Sequence, residues 1–267
     1  MDIISSVHNP RVKAAAALRD SRQRQQQGRI LIDGVRELSR AVHSGVCVVE
    51  VFLCPELLGP GEAQPQKLLA QSGAEILEVT PQVFEKLAFG DRAEGVLGVA
   101  VTPSRRLDEL QLPGNSLVAV IEGVEKPGNV GAVLRSADAA GVSALVVADP
   151  RTDLYNPNTI RASLGTVFSM PVAAATSEET LAWLRRNRLA IFAARVDGSI
   201  SYIQADFRGP AAIVLGSEAQ GLTSVWSGDD IRAIRLPMLG RADSLNVSAT
   251  AAVLFYEALR QRSESPN

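Results

Sequence analysis

The chain has 267 residues, of which 46% are hydrophobic, 21% charged and only 4% aromatic; these are globular values that argue against wholesale disorder and against an aromatic platform for stacked bases. Its 27 basic and 29 acidic side chains leave a formal net charge of −2, which excludes a protein that coats nucleic acid non-specifically but leaves room for a local basic face. Two cysteines and two histidines are too few for a zinc site or a disulfide framework, and no apolar run approaches the ~18 residues of a membrane span. Asp2 stands where a signal peptide needs positive charge and no apolar segment follows, so the chain is expected to be cytoplasmic and to work without a protein-bound metal.

Arg11, Lys13, Arg19, Arg22, Arg24 and Arg29 crowd the first thirty residues against Asp2 and Asp20 alone. Taken by itself such a run favours a solvated helix surface, and residues 22–28 read as a solvated turn between helical pieces. The pattern then predicts a strand at 30–32, a helix at 34–44 closed by Gly45, a strand at 46–54, a helix at 66–72, a strand at 74–79, a helix at 81–87 and a strand at 95–101. This is a small α/β domain over residues 1–102. Residues 103–115 are polar and broken by Pro and Gly, the composition of a linker. From 116 to 267 strands and helices alternate: strands at 116–121, 143–148, 171–175, 189–196, 211–215 and 231–236, helices at 129–140, 157–166, 177–187 and 244–262. Apolar strands without alternation, separated by helices, predict a parallel sheet covered on both faces.

Ligands of such sheets bind at the carboxyl ends of the strands, and three of those exits are polar here. The first, 122–131, leads into a helix with Arg135, Ser136 and Asp138; its glycines at 123, 128 and 131 do not have the spacing of a dinucleotide cradle, and no Walker-type sequence is present. In the second, Gly216 and Gly221 bracket Glu218 directly after a buried strand, which suits either close backbone approach to a ligand or a plain helix-entry turn. The third runs from Leu236-Pro237-Met238 to Ser248. Asp243 or Ser244 could cap the last helix, but capping does not explain Ser244, Asn246 and Ser248 together on so apolar a helix start.

The three exits resemble the three motifs of the SpoU (TrmH-like) branch of the SPOUT RNA methyltransferases. Asn129-Val130-Gly131 through Arg135-Ser136-Ala137-Asp138 is similar to the first motif. Leu215-Gly216-Ser217-Glu218-Ala219-Gln220-Gly221-Leu222 is similar to the second, and Leu236-Pro237-Met238 with Ser244-Leu245-Asn246-Val247-Ser248 to the third. Each is a modest signal; in this order, over residues 116–262, they are specific together. Ala219 departs from the usual Gly and Ser217 from a common Asn. The front of the chain is similar, less specifically, to the substrate-binding domain of ribosomal-RNA members, through 5–13, 28–37, and 83–87 leading to 95–99.

The resemblance implies an α/β protein whose C-terminal parallel domain, 116–267, is tied as a trefoil knot behind a small α/β substrate-binding domain. It implies S-adenosylmethionine as methyl donor, held by Leu215, Gly216, Leu236, Met238, Ser244, Leu245 and Asn246, and a ribose 2′-hydroxyl of RNA, large-subunit ribosomal RNA above all, as acceptor. It places Asn129, Arg135, Glu218, Ser244 and Asn246 on functional positions and makes the protein a homodimer. Arg11, Lys13, Arg22, Arg24 and Arg29, with Arg161 as a second phosphate contact or a plain helix-surface residue, become candidates for RNA. The family's mechanism is framed with Arg135 as base, yet a guanidinium with a pKa above ~12 rarely releases its proton, so Arg135 is read as a phosphate clamp. A nucleotide-dependent oxidoreductase, a silent RNA-binding module on the same fold and a transfer-RNA substrate are the competing readings.

Overall fold

A computed structural model describes residues 3–59, 72–89 and 94–263. The chain divides into two compact units, Met1–Ser104 with Asp153–Ser169, and Arg105–Thr152 with Met170–Asn267. In chain order the elements are α1 (Pro10–Ala17), α2 (Ser21–Gln27), β1 (Arg29–Asp33), α3 (Val35–His43), β2 (Val48–Leu53), β3 (Glu75–Glu78), α4 (Pro81–Leu87), β4 (Val96–Val101), β5 (Leu117–Glu122), α5 (Pro127–Ala139), β6 (Ala144–Ala148), α6 (Pro157–Ala162), α7 (Thr166–Ser169), β7 (Val172–Ala175), α8 (Ser177–Arg186), β8 (Ala190–Ala194), β9 (Ile200–Ser201), β10 (Ala211–Leu215), β11 (Ile231–Arg235) and α9 (Val247–Ser263).

The first unit is built on a four-stranded sheet in the order β1-β4-β2-β3, with β4 antiparallel to both neighbours and β3 parallel to β2. Val12, Leu18, Leu31, Phe52, Phe84, Leu87 and Leu97 form its core. Residues 22–28 are not a turn. Asp20 accepts hydrogen bonds from the backbone N–H of Arg22 (2.9 Å) and Gln23 (3.2 Å), and Gly28, at φ +58°, closes the helix α2 between them. A helix at 66–72 falls, but for Ser72, outside the described residues.

The expected helix at 157–166 is broken and packs in the first unit. Leu164 (φ +54°) and Gly165 (φ +81°) turn the chain between α6 and α7. A Cβ on Gly165 would lie 3.0 Å from Glu37 Cα, and Arg40 Nη1 donates to the Leu164 carbonyl at 2.9 Å, so this corner lies directly on α3. Periodicity predicts the helical turns there but not the sheet they cover.

The second unit has seven strands in the order β7-β6-β5-β10-β8-β11-β9, every neighbouring pair parallel. All residues of β5, β6 and β10 are buried, as the continuous apolar runs require. Strand β10 enters between β5 and β8 although it follows both in sequence, so the switch in strand order brings its exit loop beside those of β8 and β11. Thr176 and Glu179 form a capping box at the start of α8. Leu107, Leu110 and Leu112 of the expected linker pack on this unit's core. Arg262, near the end of α9, donates to the carbonyls of Phe207, Asn115, Gly209 and Ser116 at 2.6–3.2 Å, and burial pushes its pKa down. The last helix begins at Val247, not 244, and neither Asp243 nor Ser244 caps it: Asn246 Oδ1 accepts from Ser248 N at 2.9 Å and Ser248 Oγ at 2.6 Å.

Candidate functional site

Within the second unit the exit loops of β5, β10 and β11 meet on Glu218. Asn129, in the first turn of α5, donates through Nδ2 to Glu218 Oε1 at 3.0 Å. Asn246 Nδ2 donates to the same oxygen and lies 3.4 Å from Asn129 Oδ1. Lys126 Nζ stands 3.8 Å from Glu218 Oε2, a weak pair because the lysine is largely exposed. Of the polar residues that capping alone could not explain, Asn246 and Ser248 are partners and Asn246 also joins Glu218 and Asn129, while Ser244 lines the cavity instead. Asn246 serves both roles, its oxygen on the helix start and its amide on Glu218.

Glu218 also borders a cavity of about 450 Å³, within the usual size of small-molecule sites. Leu215, Gly216, Leu236, Met238, Ser244 and Leu245 line it. Loop 216–222 is folded back on itself: Gly221 N donates to Ser217 O at 2.9 Å and Gln220 N to Ser217 Oγ at 3.2 Å. A side chain on Gly216 would collide with the Gly221 backbone, which requires glycine there. Ala219 is exposed and has no positive φ, so the turn accepts it without strain.

Six of the seven expected donor-binding residues line the cavity; Asn246 stands beside it, on Glu218. Arg135 is exposed on α5, six residues beyond Asn129, and is not part of the cavity wall of its own chain. A further part of the wall, Ala194, Arg195, Val196 and Asp197 at the exit of β8, was not foreseen. Its only signal is position: β8 neighbours β10 and β11, and that adjacency is not sequential. Arg195 is braced there by Asp197 (2.9 Å) and Ser227 (2.9 Å). Lys126 was also passed over, although it lies in the first loop.

The expected RNA contacts in the first unit fare unevenly. Arg24 is corrected outright. It is 2% exposed, bonds Asp153 Oδ2 through Nε at 2.6 Å and gives Nη1 to the carbonyls of Leu18 and Arg19, so it holds the unit together and offers no charge to a ligand. Arg11 is bound by Glu50 and Glu75 at 2.6–2.9 Å; its hydrogen bonds to Glu75, then Glu50, push its pKa up. Arg161 is half-buried with Nη1 2.6 Å from the Phe89 carbonyl, and Arg29 is half-buried with Nη1 fully enclosed. Lys13 and Arg22 are exposed. Among the described residues no group of three or more His, Cys, Asp or Glu could hold a metal ion, and no helix is long and apolar enough to cross a membrane.

Residues 116–256 match the SpoU rRNA Methylase family, and residues 9–98 match the MRM3-like substrate binding domain. A 23S rRNA (uridine(2479)-2′-O)-methyltransferase of Streptomyces viridochromogenes is 31% identical over 92% of this chain and 88% of its own. The crystal structure of an RNA 2′-O ribose methyltransferase superimposes with a TM-score of 0.86 at 41% identity, covering 98% of this chain and all of the other. An AdoMet-bound rRNA methyltransferase from Sinorhizobium meliloti superimposes with a TM-score of 0.88 at 27% identity over 97% of each chain.

Proposed function

Because the chain belongs to the SpoU rRNA Methylase family, we propose that it transfers the methyl group of S-adenosylmethionine to a ribose 2′-hydroxyl of RNA, with 23S ribosomal RNA as substrate. The observation that carries this reading is that Glu218 belongs both to the wall of the cavity and to the cluster with Asn129 and Asn246. One carboxylate thereby ties a small-molecule pocket to the polar groups at its side. A silent RNA-binding module would have no need to join the two.

The residues present fit the donor. Leu215, Leu236 and Met238 with the backbone at Gly216 provide the apolar wall and main-chain groups that a flat neutral adenine calls for. When bound, S-adenosylmethionine supplies an electrophilic methyl on a sulfonium, a leaving group that needs no metal. The chain's own task is to hold the 2′-oxygen in line and let its proton depart. Alignment of this kind is worth up to ~7–11 kcal/mol. Glu218 fixes the amides of Asn129 and Asn246; Asn246 is fully occupied by its partners, and Asn129 keeps a second Nδ2 hydrogen and a carbonyl lone pair with which to orient the sugar. Arg135 grips an RNA phosphate with its planar fork and lowers the pKa of the hydroxyl nearby, and that phosphate assists the departure of the proton as the methyl arrives.

Arg135 lies outside its own chain's cavity wall, which supports a homodimer in which each arginine serves the partner's pocket. Val253 and Tyr256, exposed on α9, and Leu245 near its start provide apolar surface for that interface. The slot of β10 between β5 and β8, with α9 packed on α5, supports a trefoil knot in this unit. Of the six expected basic contacts in the first unit, Lys13 and Arg22 are the ones exposed for RNA, and that unit, Asp153–Ser169 included, is the substrate-binding domain. Acting on ribosomal RNA, the protein works in the cytoplasm.

Calorimetry with purified protein tests the donor site: micromolar binding of S-adenosylmethionine or its demethylated product supports the reading, and no binding of either, with or without RNA, contradicts it.

A further inference from the structure

The last residue of β5 is a buried carboxylate to which the reaction above assigns no part. Glu122 is 3% exposed and ends a strand whose other five residues are all apolar. Its Oε2 accepts from Thr223 N at 2.8 Å; its Oε1 accepts from Thr223 Oγ1 at 2.7 Å and Trp226 Nε1 at 2.8 Å. Ser177 Oγ, with one proton to give, lies 2.6 Å from Glu122 Oε1 and 2.5 Å from Asp149 Oδ2. No ion pair to Glu122 exists among the described residues. A buried charge satisfied by neutral donors alone is costly, and Val or Ile would fill a strand end at far less cost.

The place of those donors gives the carboxylate a purpose. Loop 216–222 forms one wall of the cavity through Gly216, Ser217, Glu218, Gln220, Gly221 and Leu222. Its leading end is fixed because Leu215 of β10 pairs with Ile121 of β5. Its trailing end, Thr223 to Trp226, is fixed by Glu122, the very next residue of β5. Both ends of the loop therefore hang from two consecutive residues of one central strand.

We infer that Glu122 is a positioning residue for the methyl-donor site: it clamps the return of loop 216–222 and so sets the wall that carries Glu218. This rests on reading the cavity as the donor site. Glu122→Gln tests it, because the amide nitrogen cannot accept: one of the two clamped groups, Thr223 N or the Oε1 set, loses its acceptor whichever way the amide turns. In the full chain, well below its unfolding midpoint, the variant is expected to raise Kd and KM for S-adenosylmethionine about tenfold, the worth of one hydrogen bond to a charged group. Turnover at saturating donor should return to within about twofold, with RNA affinity unchanged. Should Glu122→Gln not fold, Thr223→Val and Trp226→Phe each remove a single donor and are expected to raise the donor KM a few-fold. A lowered unfolding midpoint with unchanged donor Kd and KM would overturn the inference and leave Glu122 a mere packing residue. Wild-type protein that binds no donor would instead overturn the reading of the cavity, so the two failures are distinct.

Discussion

The two units use charge and polarity in opposite ways. In the second, polar residues from three different loops prove to be each other's partners beside a cavity: Asn129, Glu218 and Asn246. In the first, the basic residues that crowd the first thirty positions are spent largely on the unit itself. Arg24 is buried on Asp153, Arg11 is bound between Glu50 and Glu75, and Arg19 Nη2 donates to the carbonyls of Lys86 and Ala88. A charge read from sequence says what a side chain can bind, not which way it faces. A polar residue at the exit of a buried parallel strand says more, because the fold already dictates its direction.

The largest effects that would sharpen this contrast lie in the second unit. Glu218→Ala leaves two amides unpaired and frees the cavity wall; kcat/KM is expected to fall roughly hundredfold or more, with the unfolding midpoint little changed. Arg135→Lys is expected to keep RNA binding but lose at least about tenfold in turnover, and near-normal turnover would remove any need for a planar fork.

Arg24→Ala comes next and should act in the opposite manner. It strands Asp153 beside an enclosed gap and is expected to cost about 3 kcal/mol, seen as a midpoint lowered by several degrees, while activity per folded molecule stays near wild type. A loss of RNA affinity with no loss of stability would instead make Arg24 an RNA contact.

Asp33 gives a pH-dependent test. Burial, with smaller contributions from Glu94 and Glu37, outweighs the Phe89 N–H and Arg161 and lifts its carboxyl to about 6. The folded pKa is raised, so the ionised carboxyl opposes folding; the penalty is absent below the unfolded value near ~4, grows as pH rises through 6, and is complete above it. Asp33→Asn keeps an oxygen for Phe89 N (2.7 Å) and should raise the midpoint at pH 8, with little change at pH 4, the difference being of order 2 kcal/mol. An equal change at both values would contradict this. Smallest of all, Lys13→Ala and Arg22→Ala are each expected to weaken RNA binding a few-fold, with a shallower salt dependence and no change in stability.

Much of the second unit was legible in the sequence. Its strands fall within a residue or two of expectation because buried parallel strands are continuous apolar runs bounded by polar exits, though β9, two residues long, left no such trace. The cavity-lining residues of two loops were legible through the resemblance of their motifs to those of the SpoU family. Three things were not. The wall at Ala194–Asp197 depends on β8 lying beside β10 and β11, a neighbourhood set by the strand order alone. The turn at Leu164 and Gly165 depends on contact with Glu37 and Arg40, far back in the chain. Glu122 looked like the start of a loop; its pairing with Ala148 makes it the end of a strand, and its bonds to Thr223 and Trp226 join it to a segment about a hundred residues on.

The protein carries a methyl group to a ribose oxygen of RNA. Incubating the protein with methyl-labelled S-adenosylmethionine and unmodified 23S ribosomal RNA, then mapping alkali-resistant linkages, measures it directly. The account predicts label at a single 2′-O-methyl ribose, abolished by Glu218→Ala. Donor binding without label at any ribose, under conditions where a known relative labels its own site, would contradict it.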